Sequence, residues 1–205
     1  MSAPLSNSLQ AAFDNSAAST VEIRPFRPDE WQEFKRIRLE SLKQDGAKFR
    51  IEARLELYLT DEQWRKRLED ADSCVAGAFD KKTNTAVGIS IANRNPDKPT
   101  ELDVGAVWID KSHRGANLPI LMLAPFFEWL KDRPDIVSIE TAHREGNSAS
   151  HALMEKCGLI KFDRIEKDVE WFDGTRADKV FYKGAIPRCA STATPAPHSK
   201  QPLKP

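Results

Sequence analysis

The chain has 205 residues, 40% hydrophobic and 30% charged, with 31 basic residues against 31 acidic ones. That length suits a single packed domain with tails, and a zero net charge argues against a nucleic-acid binder that works by bulk electrostatics. No apolar run approaches the ~20 residues a membrane helix needs, so no membrane partner is expected. Cys74, Cys157 and Cys189 form no CxxC pair and the four histidines are dispersed, so neither a disulfide framework nor a metal site is expected. The first twenty residues carry no Lys or Arg, which argues against a signal or transit peptide and makes the cytoplasm the expected compartment.

Residues 1–20 are rich in Ser, Ala and Asn without an apolar period and predict a disordered lead-in. Val21 to Arg24 predicts a strand, and Asp29 with Gln32 a capping box opening a helix through Trp31, Phe34, Ile37 and Leu42 to Gly46. Ile51, Leu55 and Leu59 recur every four residues and predict a second helix; Thr60 with Gln63 caps a further one holding Trp64 and Leu68. Cys74 to Phe79 and Ala86 to Ala92 predict a hairpin, and Leu102 to Ile109 a third strand. A helix over Leu118 to Lys131 follows, which Pro125 should kink. Next come a strand over Ile136 to Ala142 and a helix from Ala149 to Cys157, stopped by Gly158. Two strands, about 160–171 and 178–183, flank the turn signal Asp173-Gly174. The Pro/Ser/Thr-rich stretch 187–205 predicts a disordered tail. The fold class is therefore α/β, a mixed sheet in the order β-α-α-β-β-β-α-β-α-β-β, over one domain spanning 21–186.

The chemistry concentrates at two strand-to-helix junctions. Val107 to Pro119 reads VWIDKSHRGANLP, a strand delivering Arg114-Gly115 to a helix start. Unpaired amides and the positive dipole end make such a junction a pyrophosphate cradle, to which Arg114 adds a charge-assisted contact; an ordinary strand-to-helix turn is the alternative. Asn147 to Leu159 reads NSASHALMEKCGL.

These segments resemble the GNAT superfamily of acyl-CoA-dependent N-acetyltransferases. The first is similar to its cofactor loop V-x-P-x-x-R-G-x-G-x-G/A, the second to N-x-x-A-x-x-L-Y-E-K-x-G-F. The opening IRPFRPDEWQEFKRIRLESLKQDGAKF is also typical of bacterial-type members. The resemblance implies central parallel strands, about 102–109 and 136–142, splayed around acetyl-CoA as co-substrate. It places the pyrophosphate on amides of Arg114, Gly115, Ala116, Asn117 and Leu118, the pantetheine on the strand edge near Trp108 and Ile109, and Asn147 and Ser150 beside the cofactor. A strand amide near Trp108 would steady the oxyanion. Asp103, with Glu101 on the same strand face, matches the carboxylate that takes the proton from the acceptor amine.

Three residues depart from the family pattern. Asn117 replaces a loop glycine, Pro119 removes an amide from the cradle, and Met154 stands where the family carries its acid-donating tyrosine. Water, Ser150 or Tyr182 are substitutes for that acid, and His143 is a second candidate base. The expected activity is direct acetyl transfer to a primary amine, first of a small molecule, then of a peptide or protein. The alternative is an impaired domain that binds acyl-CoA or a partner protein. A homodimer is in keeping with the family.

Overall fold

The computed structural model describes residues 20–114 and 118–186, without the side chains of Asp163 and Arg164. The expected disordered ends, apart from Thr20, lie outside the described residues, as do Gly115, Ala116 and Asn117. Among the described residues, seven strands form one sheet in the order β1-β2-β3-β4-β5-β7-β6. They are β1 (Val21–Pro25), β2 (Ser73–Asp80), β3 (Ala86–Arg94), β4 (Glu101–Ile109), β5 (Ser138–Arg144), β6 (Ile160–Glu170) and β7 (Arg176–Ala185). Every neighbouring pair is antiparallel except β4 with β5. The mixed sheet and the order of elements agree with the sequence reading.

Strand alternation divides the core between the two faces. On one face α1 (Trp31–Asp45) and α2 (Asp61–Glu69) lay Phe34, Ile37 and Trp64 on Val75, Phe79, Ile89, Ile91 and Trp108. On the other, the next side chains along the strands, including Ala76, Ala92 and Leu102, meet Phe126 and Leu130. These two belong to α4 (Ala124–Leu130), which follows the one-turn α3 (Leu118–Leu121). The expected helix over Leu118 to Lys131 is thus broken in two. Pro125 lacks an N–H and can sit only in a first helical turn, which is where the second helix places it. Helix α5 (Ser148–Lys156) ends at Gly158, whose φ of +68° suits glycine. Among the described residues no helix is long and apolar enough to cross a membrane.

Two local expectations are corrected. The predicted Asp29–Gln32 box is not what opens α1: a 3₁₀ turn, Pro28–Glu30, precedes it, and Arg27 N–H donates to Glu30 Oε2 at 2.8 Å. The predicted helix through Ile51 and Leu55 is a 3₁₀ segment, Ile51–Tyr58. Of its side chains only Ala53 is buried, whereas Leu55 is 69% exposed and Tyr58 81%. With no apolar face buried, tertiary packing gives an α-helix there no support. The Thr60–Gln63 box does form: Thr60 N–H donates to Gln63 Oε1 at 2.8 Å and Gln63 N–H to Thr60 Oγ1 at 3.3 Å.

Candidate active site

The parallel ladder between β4 and β5 is short. It joins Glu101 to Ser138, Leu102 to Ile139 and Asp103 to Glu140. Beyond that point β5 stays with β7 and β4 stays with β3, so the two strands part. A bulge in β4 accompanies the divergence: three steps from Gly105 to Trp108 lie opposite the two from Ile91 to Ile89. Ala106 takes up the extra residue with φ at +54°, an uncommon conformation for a side-chain-bearing residue. The gap opens into a cleft of about 360 Å³, bounded by β4 from Gly105 to Ile109, by β5 at Thr141 to His143 and by α5. Lys48 and Phe49, just after α1, also form part of its wall.

The cleft wall carries backbone groups free of the β3 ladder. Asp110 N–H donates to Val87 O at 2.8 Å, which makes Ile109 and Gly88 a non-hydrogen-bonded pair and turns the Ile109 N–H and carbonyl away from β3. A slot between parted strands, with a strand edge on its wall, fits the narrow amide-bearing arm of coenzyme A.

The predicted residues divide into those at the cleft and those away from it. Trp108, Ile109, Arg114, Asn147 and Ser150 all line it. The Trp108 ring also enters the α1-side core, where its Nε1–H donates to Asp45 Oδ2 at 2.8 Å. Arg114 is already engaged: Nη2 meets Asp45 Oδ2 at 2.6 Å and Nε donates to Ile109 O at 2.9 Å. Asn147 caps α5, its Oδ1 accepting from Ser150 N–H at 3.3 Å. Leu118 packs in the core with Ile109 and Met122.

Asp103 and Glu101 do come together, joined by Glu140, their carboxylate oxygens within 4.8 Å of one another. Their environments differ. Glu101 is 2% exposed and ion-paired to Lys183, with Lys98 Nζ at 3.4 Å. Burial raises its pKa, but the two lysines outweigh that and hold it below the usual carboxylate value. It is therefore a held anion and a poor proton acceptor. Asp103 Oδ1 has Asn95 Nδ2 at 3.4 Å, and burial followed by the neighbouring Glu101 charge moves its pKa upward against the weaker pull of Asn95, Arg50 and Lys98. Replacing Lys183 with Met should cost about 2 kcal/mol, because it strips a buried carboxylate of a partner. Glu101→Gln in the same chain should recover most of the loss, measured by chemical denaturation. Glu101 has a lowered folded pKa, so its contribution is present above its unfolded pKa and disappears as pH falls through the folded one.

His143, the second candidate base, has both ring nitrogens occupied. Nδ1 lies 2.7 Å from Arg144 O and Nε2 3.3 Å from Tyr182 Oη, while burial lowers its pKa. Tyr182 is buried, its hydroxyl also 2.7 Å from His151 Nδ1. Met154 packs with Val180 and Tyr182, as expected of a packing residue. Cys74 and Cys157 are buried with thiol pKa values pushed up by burial to about 11, so neither is poised as a nucleophile. Trp64 is fully buried against Phe34, and so belongs to the core.

Two residues of this region escape a reading of the sequence alone: Asp45, which receives both Trp108 and Arg114, and Glu140. Asp45 carries one local signal. A carboxylate in the last turn of a helix opposes the helix dipole, so it needs partners from elsewhere.

The pattern of an acetyltransferase (GNAT) domain matches residues 20–160. No curated protein sequence matches the chain. Among solved structures, the fold is similar to RimL, a ribosomal L7/L12 alpha-N-protein acetyltransferase in complex with coenzyme A. That likeness has a TM-score of 0.63 at 18% identity and covers 82% of this chain and 96% of that one. It is also similar to ribosomal-protein-S5-alanine acetyltransferase from Vibrio fischeri (TM-score 0.66, 14% identity, 82% and 93% covered). NAA60 of Arabidopsis thaliana, in complex with a bisubstrate analogue, gives a TM-score of 0.62 at 10% identity, with 82% and 100% covered. The family pattern spans well over half of the chain, and the parted β4 and β5 strands lie within it: the chain belongs to the GNAT family of acyl-CoA-dependent N-acetyltransferases.

Proposed function

We propose that the β4–β5 cleft binds acetyl-CoA and passes its acetyl group directly to a primary amine of a small molecule. The observation that carries this is the opening at Gly105 with Asp103 beside it. Both residues lie on one strand face ahead of the bulge, and a Cβ built on Gly105 meets nothing within 4 Å. No side chain on β4 thus separates the Asp103 carboxyl from the mouth of the cleft. When bound, acetyl-CoA supplies an activated acetyl thioester.

The roles of the chain's own residues follow from their places. Asp103, whose raised pKa makes it a better base than an exposed carboxylate, takes the ammonium proton through a file of waters along β4, since five β3 steps, Asn93 to Gly88, separate the positions paired with Asp103 and Ile109. The Ile109 N–H, turned off the β3 ladder, donates to the oxygen on which charge develops. Asn147, Ser150 and Leu153 form the α5 side of the donor slot. A coenzyme A thiol of ordinary pKa, near ~8.5, leaves without a protein acid, so Met154 in the tyrosine position is compatible with turnover. The loop Gly115, Ala116 and Asn117 would contribute phosphate contacts as the family pattern implies.

A peptide or protein amine is the second reading. Exposed Leu55, Leu57 and Tyr58 stand on the 3₁₀ segment that follows the cleft residues Lys48 and Phe49 and offer apolar surface to a longer acceptor. Two of the three similar structures described above are ribosomal-protein acetyltransferases. Thiol release from acetyl-CoA, followed with a panel of small amines and short peptides, tests both readings. Higher kcat/KM for small amines supports the first, and higher values for peptides the second. Coenzyme A binding without thiol release from any acceptor would make the protein a binding module.

A further inference from the structure

Asp45 is the last residue of α1, where the helix dipole disfavours a carboxylate. The helix itself therefore gives no reason for it. Its side chain is 10% exposed and receives donors from three segments. Lys48 Nζ reaches Oδ1 at 2.8 Å, while Trp108 Nε1 and Arg114 Nη2 reach Oδ2 at 2.8 and 2.6 Å. These contacts outweigh burial and hold the carboxyl near a pKa of about 2, so it is charged at any working pH.

The partners span the cleft. Lys48 belongs to the turn that brings Phe49 to the cleft wall. Trp108 lies on β4 within the parted stretch. Arg114 stands after β4 and, besides meeting Asp45, clamps the carbonyl of Ile109 through Nε. A ligand that moves Ile109 or Arg114 thus pulls on the carboxylate that also holds Lys48. Trp108 limits how that carboxylate can respond, because its indole is fixed in the α1-side core.

We infer that Asp45 is a positioning residue that couples the β4 wall of the cleft to the wall formed by the turn after α1, so that filling the donor slot orders that turn at residues 46–49. The coupling presupposes that coenzyme A enters the slot between β4 and β5. Charge-assisted bonds that share one carboxylate act together, so removing the charge should loosen both sides at once.

The test uses coenzyme A as the only ligand. Its affinity is measured by calorimetry, and hydrogen exchange at residues 46–49 is followed with and without saturating coenzyme A, for wild type, Asp45→Asn and Asp45→Glu. In wild type, saturation should slow exchange there by about tenfold, equivalent to ~1.4 kcal/mol. In Asp45→Asn the affinity should fall by about tenfold, and saturation should leave exchange at 46–49 unchanged. Asp45→Glu, which keeps the charge, should regain part of the protection. Equal protection in wild type and Asp45→Asn would overturn the coupling and leave the donor slot intact. So would a drop in melting temperature alone, with affinity and protection kept, since that is a purely structural role. A wild-type protein that does not bind coenzyme A would overturn the donor slot and the coupling together.

Discussion

Asp103→Asn should lower kcat by about 10²- to 10³-fold and leave the affinity for coenzyme A within about twofold of wild type, because a positioned general base contributes on that scale. The substitution keeps size and the hydrogen bond from Asn95 but removes the basic lone pair. The pH profile gives an independent check. Burial, with help from Glu101, raises the Asp103 pKa, so the acid limb of kcat/KM should lie above the ordinary aspartate value. Activity falls as pH drops through that value, since the protonated acid cannot accept a proton. Stability should move the other way. A raised folded pKa means that the protonated form favours folding, a contribution fully present below the unfolded pKa and lost as pH rises through the folded one. At neutral pH the ionised side chain is therefore a burden on the fold, and Asn should leave the melting temperature equal or slightly higher. Full turnover in Asp103→Asn, measured by thiol release, would remove Asp103 from the mechanism.

The contrast between Asp103 and Glu101 also marks what a one-dimensional reading can reach. Alternation along β4 puts the two on one face, and the structure agrees. Their opposite pKa directions depend on Lys183, which arrives from β7, 80 positions further on from Asp103 by subtraction of the residue numbers. Nothing local to β4 announces that partner. The same limit explains Asp45. Its neighbours in sequence identify a helix end, but Trp108 and Arg114 reach it only because the sheet packs β4 under α1.

Punctuation was the more legible layer. Gly158, the Thr60–Gln63 pair and the Asp173-Gly174 turn each act through bonds within a few residues, and each stands where its local chemistry requires. Pro125 likewise breaks its helix by a rule that needs no tertiary information. The 3₁₀ segment Ile51–Tyr58 is the counter-case. Its four-residue period matches a helix, but no facing surface buries that stripe. The parted strands are intermediate: the family pattern implies them, while the extra residue at Ala106 that accompanies the parting is one that no spacing of apolar residues reveals.

Gly105 offers the sharpest test of the path between base and cleft. It follows Asp103 on the same strand face, at the point where β4 and β5 begin to part. A Cβ there meets nothing within 4 Å, and valine is at home in strands, so Gly105→Val should fold with a melting temperature within a few degrees of wild type. The added methyl groups would stand between the Asp103 carboxyl and the incoming amine. A misplacement of about 1 Å can cost on the order of 10² in rate, and acceptor-dependent thiol release should fall by at least that factor. Coenzyme A affinity should change by less than about threefold, because Gly105 stands at one end of the β4–β5 cleft, and the strand edge and helix residues assigned to the donor, Trp108, Ile109, Asn147 and Ser150, lie past the bulge. Gly105→Ala, with one carbon in place of three, should fall between wild type and Gly105→Val. A Gly105→Val protein that retains wild-type kcat/KM would show that the acceptor does not pass this way, and that the proton leaves by another route.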